Sequence, residues 1–333
     1  MALRTVTDRK LGGHGASKLF WSRIGHWLFG LLAVYAIGVL ALLWLRTDLR
    51  SVVAATPIWV VPAFMALASV GFALRVGRWL LLARIAGLKV PDAGLAKVYL
   101  GGFLMNLTPG RVGELWRSWI LWRGWRMKYR RSLPVLICDR LLDLHALLLF
   151  AALGLGLGFG FDWPALLCLL AAITLSALVV LPGWGRRAIK TAWVFAGRRR
   201  PRLFAMLLSV CRNVGRMLGP VIYVRLLLLS LIAWSMDAIA LHALMPAAGG
   251  ELTLRAAAAT LGISNIVGAI TPMPRGIGGQ EVTMALLIGG AAGNSTASAI
   301  TMVGIVRLST LWYAAALGLP FFLYLSRRYG GEP

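Results

Sequence analysis

Apolar runs close to twenty residues long recur along the chain, at about 24–45, 58–82, 133–159, 165–181, 221–245 and 299–325. A helix of about twenty such residues crosses the hydrocarbon of a bilayer. The runs therefore predict an all-α polytopic membrane protein with about six transmembrane helices, residues 1–333 forming a single membrane domain. Composition points the same way: 59% of residues are hydrophobic, 14% are charged, and mean hydropathy is +0.78. A soluble domain cannot bury that much apolar surface.

The charges that remain are lopsided, 35 Lys+Arg against 11 Asp+Glu. In a soluble chain that excess would suggest nucleic acid. Here the basic residues gather in short loops between apolar runs, which excludes that class and favours anionic lipid. The N-terminus, 84–89, 123–131, 186–202 and the C-terminus are basic, whereas 46–57, 160–164 and 246–255 hold only Arg46, Arg50 and Arg255. The pattern places both termini on the cytoplasmic side of a bacterial inner membrane. The first run is too long for a signal peptide and lacks an A-x-A cleavage site, so it reads as a retained helix. Residues 203–219 carry an apolar face opposite Arg212 and Arg216, as an interfacial amphipathic helix does. Arg75 and Arg78, near the end of the second run, read as snorkelling anchors. Trp116, Trp119, Trp122 and Trp125, three apart beside a basic loop, suit a membrane interface.

Two apolar stretches, 94–121 and 256–292, are broken in the middle. The first break is Asn106-Leu-Thr-Pro-Gly-Arg-Val-Gly-Glu114 and the second is Thr271-Pro-Met-Pro-Arg-Gly-Ile-Gly-Gly-Gln-Glu281. Proline removes a backbone donor and glycine loosens the chain, so neither stretch is expected to cross as a straight helix. The loop charges agree if the first enters and leaves from the cytoplasm and the second from the outer face, as re-entrant helical hairpins. The breaks also match each other. Thr108-Pro109 corresponds to Thr271-Pro272 and Arg111 to Arg275. Glu114 and Glu281 lie 167 positions apart (281 − 114), as do Arg140 and Arg307 (307 − 140), each of the latter followed by leucine. Residues 24–160 and 165–325 thus form two repeats with three crossings each, and an odd number inverts the second copy. Inverted repeats with broken helices meeting near the midplane are a recurring design of secondary transporters.

An ionisable residue inside a bilayer costs about 2.5–3.5 kcal/mol on insertion scales, so those retained are paired or face a wet cavity. The candidates are Arg111, Glu114, Asp139, Arg140, Asp143, Asp237, Arg275, Glu281 and Arg307, with Asn106 at the start of the first break. Arg140 lies three positions before Asp143, within reach of an ion pair. The plainest reading is salt bridges that pin the two breaks to the third and sixth spans. For Arg111 and Arg275, each beside a Pro/Gly break, a second reading is contact with a phosphate or carboxylate. Glu114 and Glu281 would neutralise these arginines or take up protons. The four histidines and three cysteines show no ligand spacing, so no metal site and no cofactor is expected.

The first break followed by Cys138-Asp-Arg-Leu-Leu-Asp143 resembles the first signature of the lysylphosphatidylglycerol synthase transmembrane family, a flippase-like domain. The second break is similar to that family's Pro-Gly-Gly-x-Gly-x-Glu pattern, with Arg275 where glycine is frequent and Gln280 as a departure. The resemblance implies lipid translocation; the best-known members flip an aminoacylated phospholipid. Those members also carry a soluble aminoacyl-transferase domain, for which this chain has no room, so lysyl-lipid synthesis is not expected.

Three functions follow. The first is a flippase or transporter, not an enzyme and with no catalytic residues. It would move a phospholipid or a polyisoprenoid- or hopanoid-type envelope lipid between leaflets by alternating access. The substrate-binding set would be Arg111, Glu114, Arg275, Glu281, Asn106, Arg140, Asp139, Asp143 and Arg307, and the partners would be membrane lipids with anionic or phosphate head groups. The second is a membrane-embedded lipid-modifying enzyme, for which Asp139, Asp143 and Glu114 would have to form a metal site. The third is a non-catalytic partner or scaffold whose charges are all structural.

Overall fold

In a computed structural model 87% of the described residues are helical and none of them lies in a strand. The described residues are 47–108, 113–180, 183–195, 201–271 and 273–330, with Gly30 and Gly38. Apart from these two glycines the run expected at 24–45 lies outside them, as does Arg111. The chain divides into two units, Met1–Thr47 and Asp48–Pro333, and the cavity belongs to the second.

Helix α1 is Thr47–Ala55 and α2 is Val60–Ile85, the second expected span. At 1.5 Å per residue α2 is about 39 Å long, enough to cross a hydrocarbon layer of about 30 Å with tilt. The first broken stretch is two helices, α3 (Asp92–Met105) and α4 (Leu115–Trp125). Next come α5 (Tyr129–Phe159) and α6 (Asp162–Val180). Two amphipathic helices follow, α7 (Trp184–Phe195) and α8 (Pro201–Met217). Helix α8 is the amphipathic helix expected at 203–219, while α7 occupies what the charge run presents as a loop. Helix α9 is Pro220–Leu244, continued by a 3-10 turn to Ala248. The second broken stretch is α10 (Leu254–Ile270) and α11 (Gly279–Ala285), the latter running into a π segment, Leu286–Ala291. Thr296–Arg307 (α12), a π turn at Leu308–Trp312, and Tyr313–Tyr329 (α13) make one continuous helix of 34 residues. Val60–Ile85, Tyr129–Phe159, Pro220–Ala248 and Thr296–Tyr329 are long and apolar enough to cross a membrane; Asp162–Ala177 and Leu254–Ile270 are shorter apolar helices.

Helix α5 begins at Tyr129, four residues before the expected start, so Pro134 lies inside it. Proline has no N–H to offer the carbonyl four residues earlier. That carbonyl, on Arg130, instead accepts from the Asn213 side chain at 3.3 Å, which ties α8 to α5.

The most extensive pairings are α5 with α10, α3 with α13, and α2 with α9. Each pairing is drawn close by glycine. A Cβ on Gly154 of α5 would fall 2.4 Å from the Arg255 carbonyl oxygen, and one on Gly262 of α10 would fall 2.7 Å from that of Leu147. A Cβ on Gly318 of α13 would sit 2.5 Å from the Leu100 carbonyl oxygen, and one on Gly71 of α2 would sit 2.9 Å from that of Ala233. Lipid tails are as apolar as leucine, so close packing of small residues is what holds such helices together. The tryptophans of α4 also serve this packing. Trp116 packs at a tilt against Phe322 and Trp125 against Tyr329, each at 5.0 Å between ring centroids, which docks α4 on α13. Only Trp122 is exposed, beside Tyr129.

Candidate functional site

Both breaks are closed by the same small device. The Thr108 hydroxyl donates to the Met105 carbonyl at 2.7 Å and accepts from the Gly113 amide at 2.8 Å. The Thr271 hydroxyl donates to the Val267 carbonyl at 2.8 Å. In each break a glycine lies against that hydroxyl. A Cβ on Gly113 would meet Thr108 Oγ1 at 2.4 Å, and one on Gly279 would meet Thr271 Oγ1 at 2.2 Å. The turn of the second break passes through Arg275 and Gly276, both with positive φ. Gly276 is pressed onto the Gly268 backbone of α10, where a Cβ would come within 2.4 Å.

Each break then delivers its glutamate to the arginine of the following long helix. Glu114 Oε2 lies 3.3 Å from Arg140 Nε. Arg307 Nε donates to Glu281 Oε1 at 2.5 Å. Arg307 also donates to Gln280 Oε1 at 2.8 Å and to the Arg275 carbonyl at 3.3 Å, so three contacts hold the second break. The second carboxylate oxygen of Glu281 accepts from the Gly278 amide at 2.8 Å.

Around the first break the network is wider. Arg140 reaches Asp139 at 2.5 Å and Asp143 at 3.5 Å besides Glu114. Asp139 and Asp143 are also held by Arg78, at 2.6 Å and 2.8 Å, and Arg78 donates to Ser230 as well. Trp234 donates to Asp143 at 3.1 Å. Arg75 pairs with Asp237 at 2.9 Å, its guanidinium 4.2 Å from the Trp234 ring centroid. Arg75 and Arg78 are therefore not snorkelling anchors. They are 7% and 1% exposed, because α2 turns them onto carboxylates of α5 and α9. A planar guanidinium can satisfy several acceptors at once, which is the condition for keeping such charges in an apolar layer.

These groups surround a cavity of about 310 Å³, at the low end of ligand pockets. Asn106, Glu114 and Arg117 line it from the first break and its second helix, and Arg275 and Gln280 line it from the second break. Arg75, Arg140, Asp143, Trp234, Asp237, Asn265 and Thr310 add to the polar lining, and Phe72, Phe103 and Leu147 are among the apolar members. Of the sequence candidates, Asn106, Glu114, Arg140, Asp143, Asp237 and Arg275 meet there. Asp139, Glu281 and Arg307 stand behind them as partners. Arg75, Arg117, Trp234 and Tyr99 also line the cavity and carry no signal in the sequence beyond an arginine or aromatic near a helix end. Among the described residues no group of three or more His, Cys, Asp or Glu side chains is placed to hold a metal ion. His145 instead joins α5 to α6, its Nε2 lying 2.9 Å from both the Ala172 carbonyl and the Ser176 hydroxyl.

The profile of the lysylphosphatidylglycerol synthase TM region matches residues 27–318 of the 333. The chain belongs to that family. No curated protein matches it significantly. Membership in the lysylphosphatidylglycerol synthase TM family makes this a multi-pass membrane protein connected with lipid metabolism. Both breaks and the entire polar cluster fall inside the matched region.

Proposed function

We propose that this protein moves an envelope lipid between leaflets of the bacterial inner membrane, with the head group in the cavity and the tails left in lipid. The observation that carries the reading is the convergence of both breaks on one cavity, Asn106 and Glu114 from one side and Arg275 and Gln280 from the other. A midplane site between two broken helices is what alternating access requires.

In this reading the two broken stretches are re-entrant hairpins of an inverted repeat entering from opposite faces, with both termini cytoplasmic. Several features support it. The Glu114–Arg140 pair recurs as Glu281–Arg307 at the same offset of 167. Packing is exchanged between halves: the first-break helix α3 lies on α13, and the second-break helix α10 lies on α5. Arg111 and Arg275 would approach the head group, and Glu281 and Arg307 would hold the second hairpin in place. The substrates would be lipids with anionic or phosphate head groups. Asp139 and Asp143 are each engaged by guanidiniums, so they act as partners of arginine rather than as catalytic groups.

Head-group translocation in proteoliposomes tests the proposal. Wild type is expected to move phosphatidylglycerol across the bilayer, and Arg111→Ala/Arg275→Ala to lose that movement. Equal rates in the two proteins, or a divalent-dependent chemical turnover of the lipid phosphate, would overturn it.

A further inference from the structure

Arg117 is the arginine of the cavity wall that the ion-pair network engages most weakly, with two donor nitrogens left over. It is fully buried, 0% exposed, and lines the cavity. Its Nε and Nη1 have no hydrogen-bond partner. The nearest carboxylate is Asp139, at 3.8 Å, and Asp139 is already taken by Arg78 at 2.6 Å and Arg140 at 2.5 Å. The guanidinium is instead stacked on aromatic faces, 4.2 Å from the Tyr99 ring centroid and 5.6 Å from that of Trp79. Stacking fixes the plane of a guanidinium while leaving its edge free to donate.

Space for this side chain is built into the facing helix. A Cβ on Gly102 would lie 2.2 Å from Arg117 Nε and 3.0 Å from its Cγ and Cζ. Gly102 thus lets Arg117 lie flat against α3. A buried arginine with open donors carries a desolvation penalty that a structural role does not offset. Four arginines and three acids line the cavity among the described residues, a surplus of one positive charge.

We infer that Arg117 is the primary ligand of a phosphate-type oxyanion in the cavity, held flat by Tyr99 and given room by Gly102. This rests on the transport reading for its source of phosphate, a lipid head group, while inorganic phosphate offers the same chemistry. Neither Arg111 nor Arg275 is required for the assignment.

The experiment measures binding of dihexanoylphosphatidylglycerol, inorganic phosphate and uncharged dihexanoylglycerol to the purified full chain in detergent, alongside thermal unfolding. Arg117→Gln is expected to weaken phosphatidylglycerol binding at least about tenfold, equivalent to about 1.4 kcal/mol, with the unfolding temperature unchanged or raised. Gly102→Ala reaches the same residue without deleting it. It is expected to weaken binding on its own and to add nothing in the Arg117→Gln background. Uncharged dihexanoylglycerol is expected to bind equally to all variants. Wild-type binding of phosphatidylglycerol by Arg117→Gln, or additive effects of the two substitutions, overturns the assignment. Arg117-dependent binding in a wild type that fails to transport keeps the oxyanion site and ends the transport reading. Transport with binding unchanged by Arg117→Gln does the reverse. Binding of inorganic phosphate as tight as that of the lipid, and equally lost in Arg117→Gln, supports the oxyanion site and names free phosphate as its source.

Discussion

The two breaks have the same parts and leave their charges in different states. Glu281 places one carboxylate oxygen on Arg307 and the other on the Gly278 amide, and Arg307 is 1% exposed with three acceptors from that one break. Glu114 has one oxygen, Oε1, buried without a partner, and it shares Arg140 with Asp139 and Asp143. The second break is pinned. The first is held by a guanidinium with three carboxylates to choose from, and it sits beside Arg117, which has open donors. A site that must both bind and release needs one wall that is fixed and one whose pairings can be exchanged at low cost. In the proposed transport cycle the second break would be the fixed wall and the first the adaptable one.

Removing the two arginines is the strongest way to break the comparison. Arg307→Ala strands Glu281 and Gln280, and losing one partner of a buried pair costs about 3–5 kcal/mol. Arg140→Ala strands Glu114 but leaves Asp139 and Asp143 on Arg78, and only one oxygen of Glu114 has a partner to lose, so its loss in chemical unfolding should be smaller. Equal losses would mean that the first break is pinned too. Next come the glutamates. Glu281→Gln is expected to lower stability by about 1.5–3 kcal/mol, the range for hydrogen bonds to charged groups. Glu114→Gln should spare stability and instead slow lipid translocation, and the reverse assignment of effects would exchange the two roles. The smallest contrast concerns the closing hydroxyls. Thr108→Val abandons two hydrogen bonds and Thr271→Val one, so at about 1 kcal/mol each the former should unfold earlier by about 1 kcal/mol in the same denaturant series.

Much of this comparison is legible in the residues. Pro and Gly in the middle of an apolar stretch locate both breaks, and the shared offset of 167 pairs each glutamate with the arginine it contacts. The long spans follow from apolar length alone. What escapes is whatever depends on which way a helix faces. An arginine near the end of an apolar run can snorkel or turn inward, so Arg75 and Arg78 read as anchors until α2 is seen against Asp139, Asp143 and Asp237. The start of α5 at Tyr129 is hidden because Pro134 looks like a first-turn residue; the carbonyl it orphans is satisfied by Asn213, 83 positions away. Helix α7 is masked by its basic residues, which mark a loop as readily as the polar face of an interfacial helix. Arg117 is the most instructive miss. Its place depends on the missing Cβ of Gly102, on the other side of the break, and no local pattern links the two.

Whether a lipid head group enters between the breaks is visible in an experimental structure of the chain in phosphatidylglycerol nanodiscs. Head-group density is expected inside the cavity, its phosphate within hydrogen-bond distance of Arg117 and near Arg275. A cavity that holds only water, with every ordered phosphate on the outer surface of the helices, would contradict this expectation.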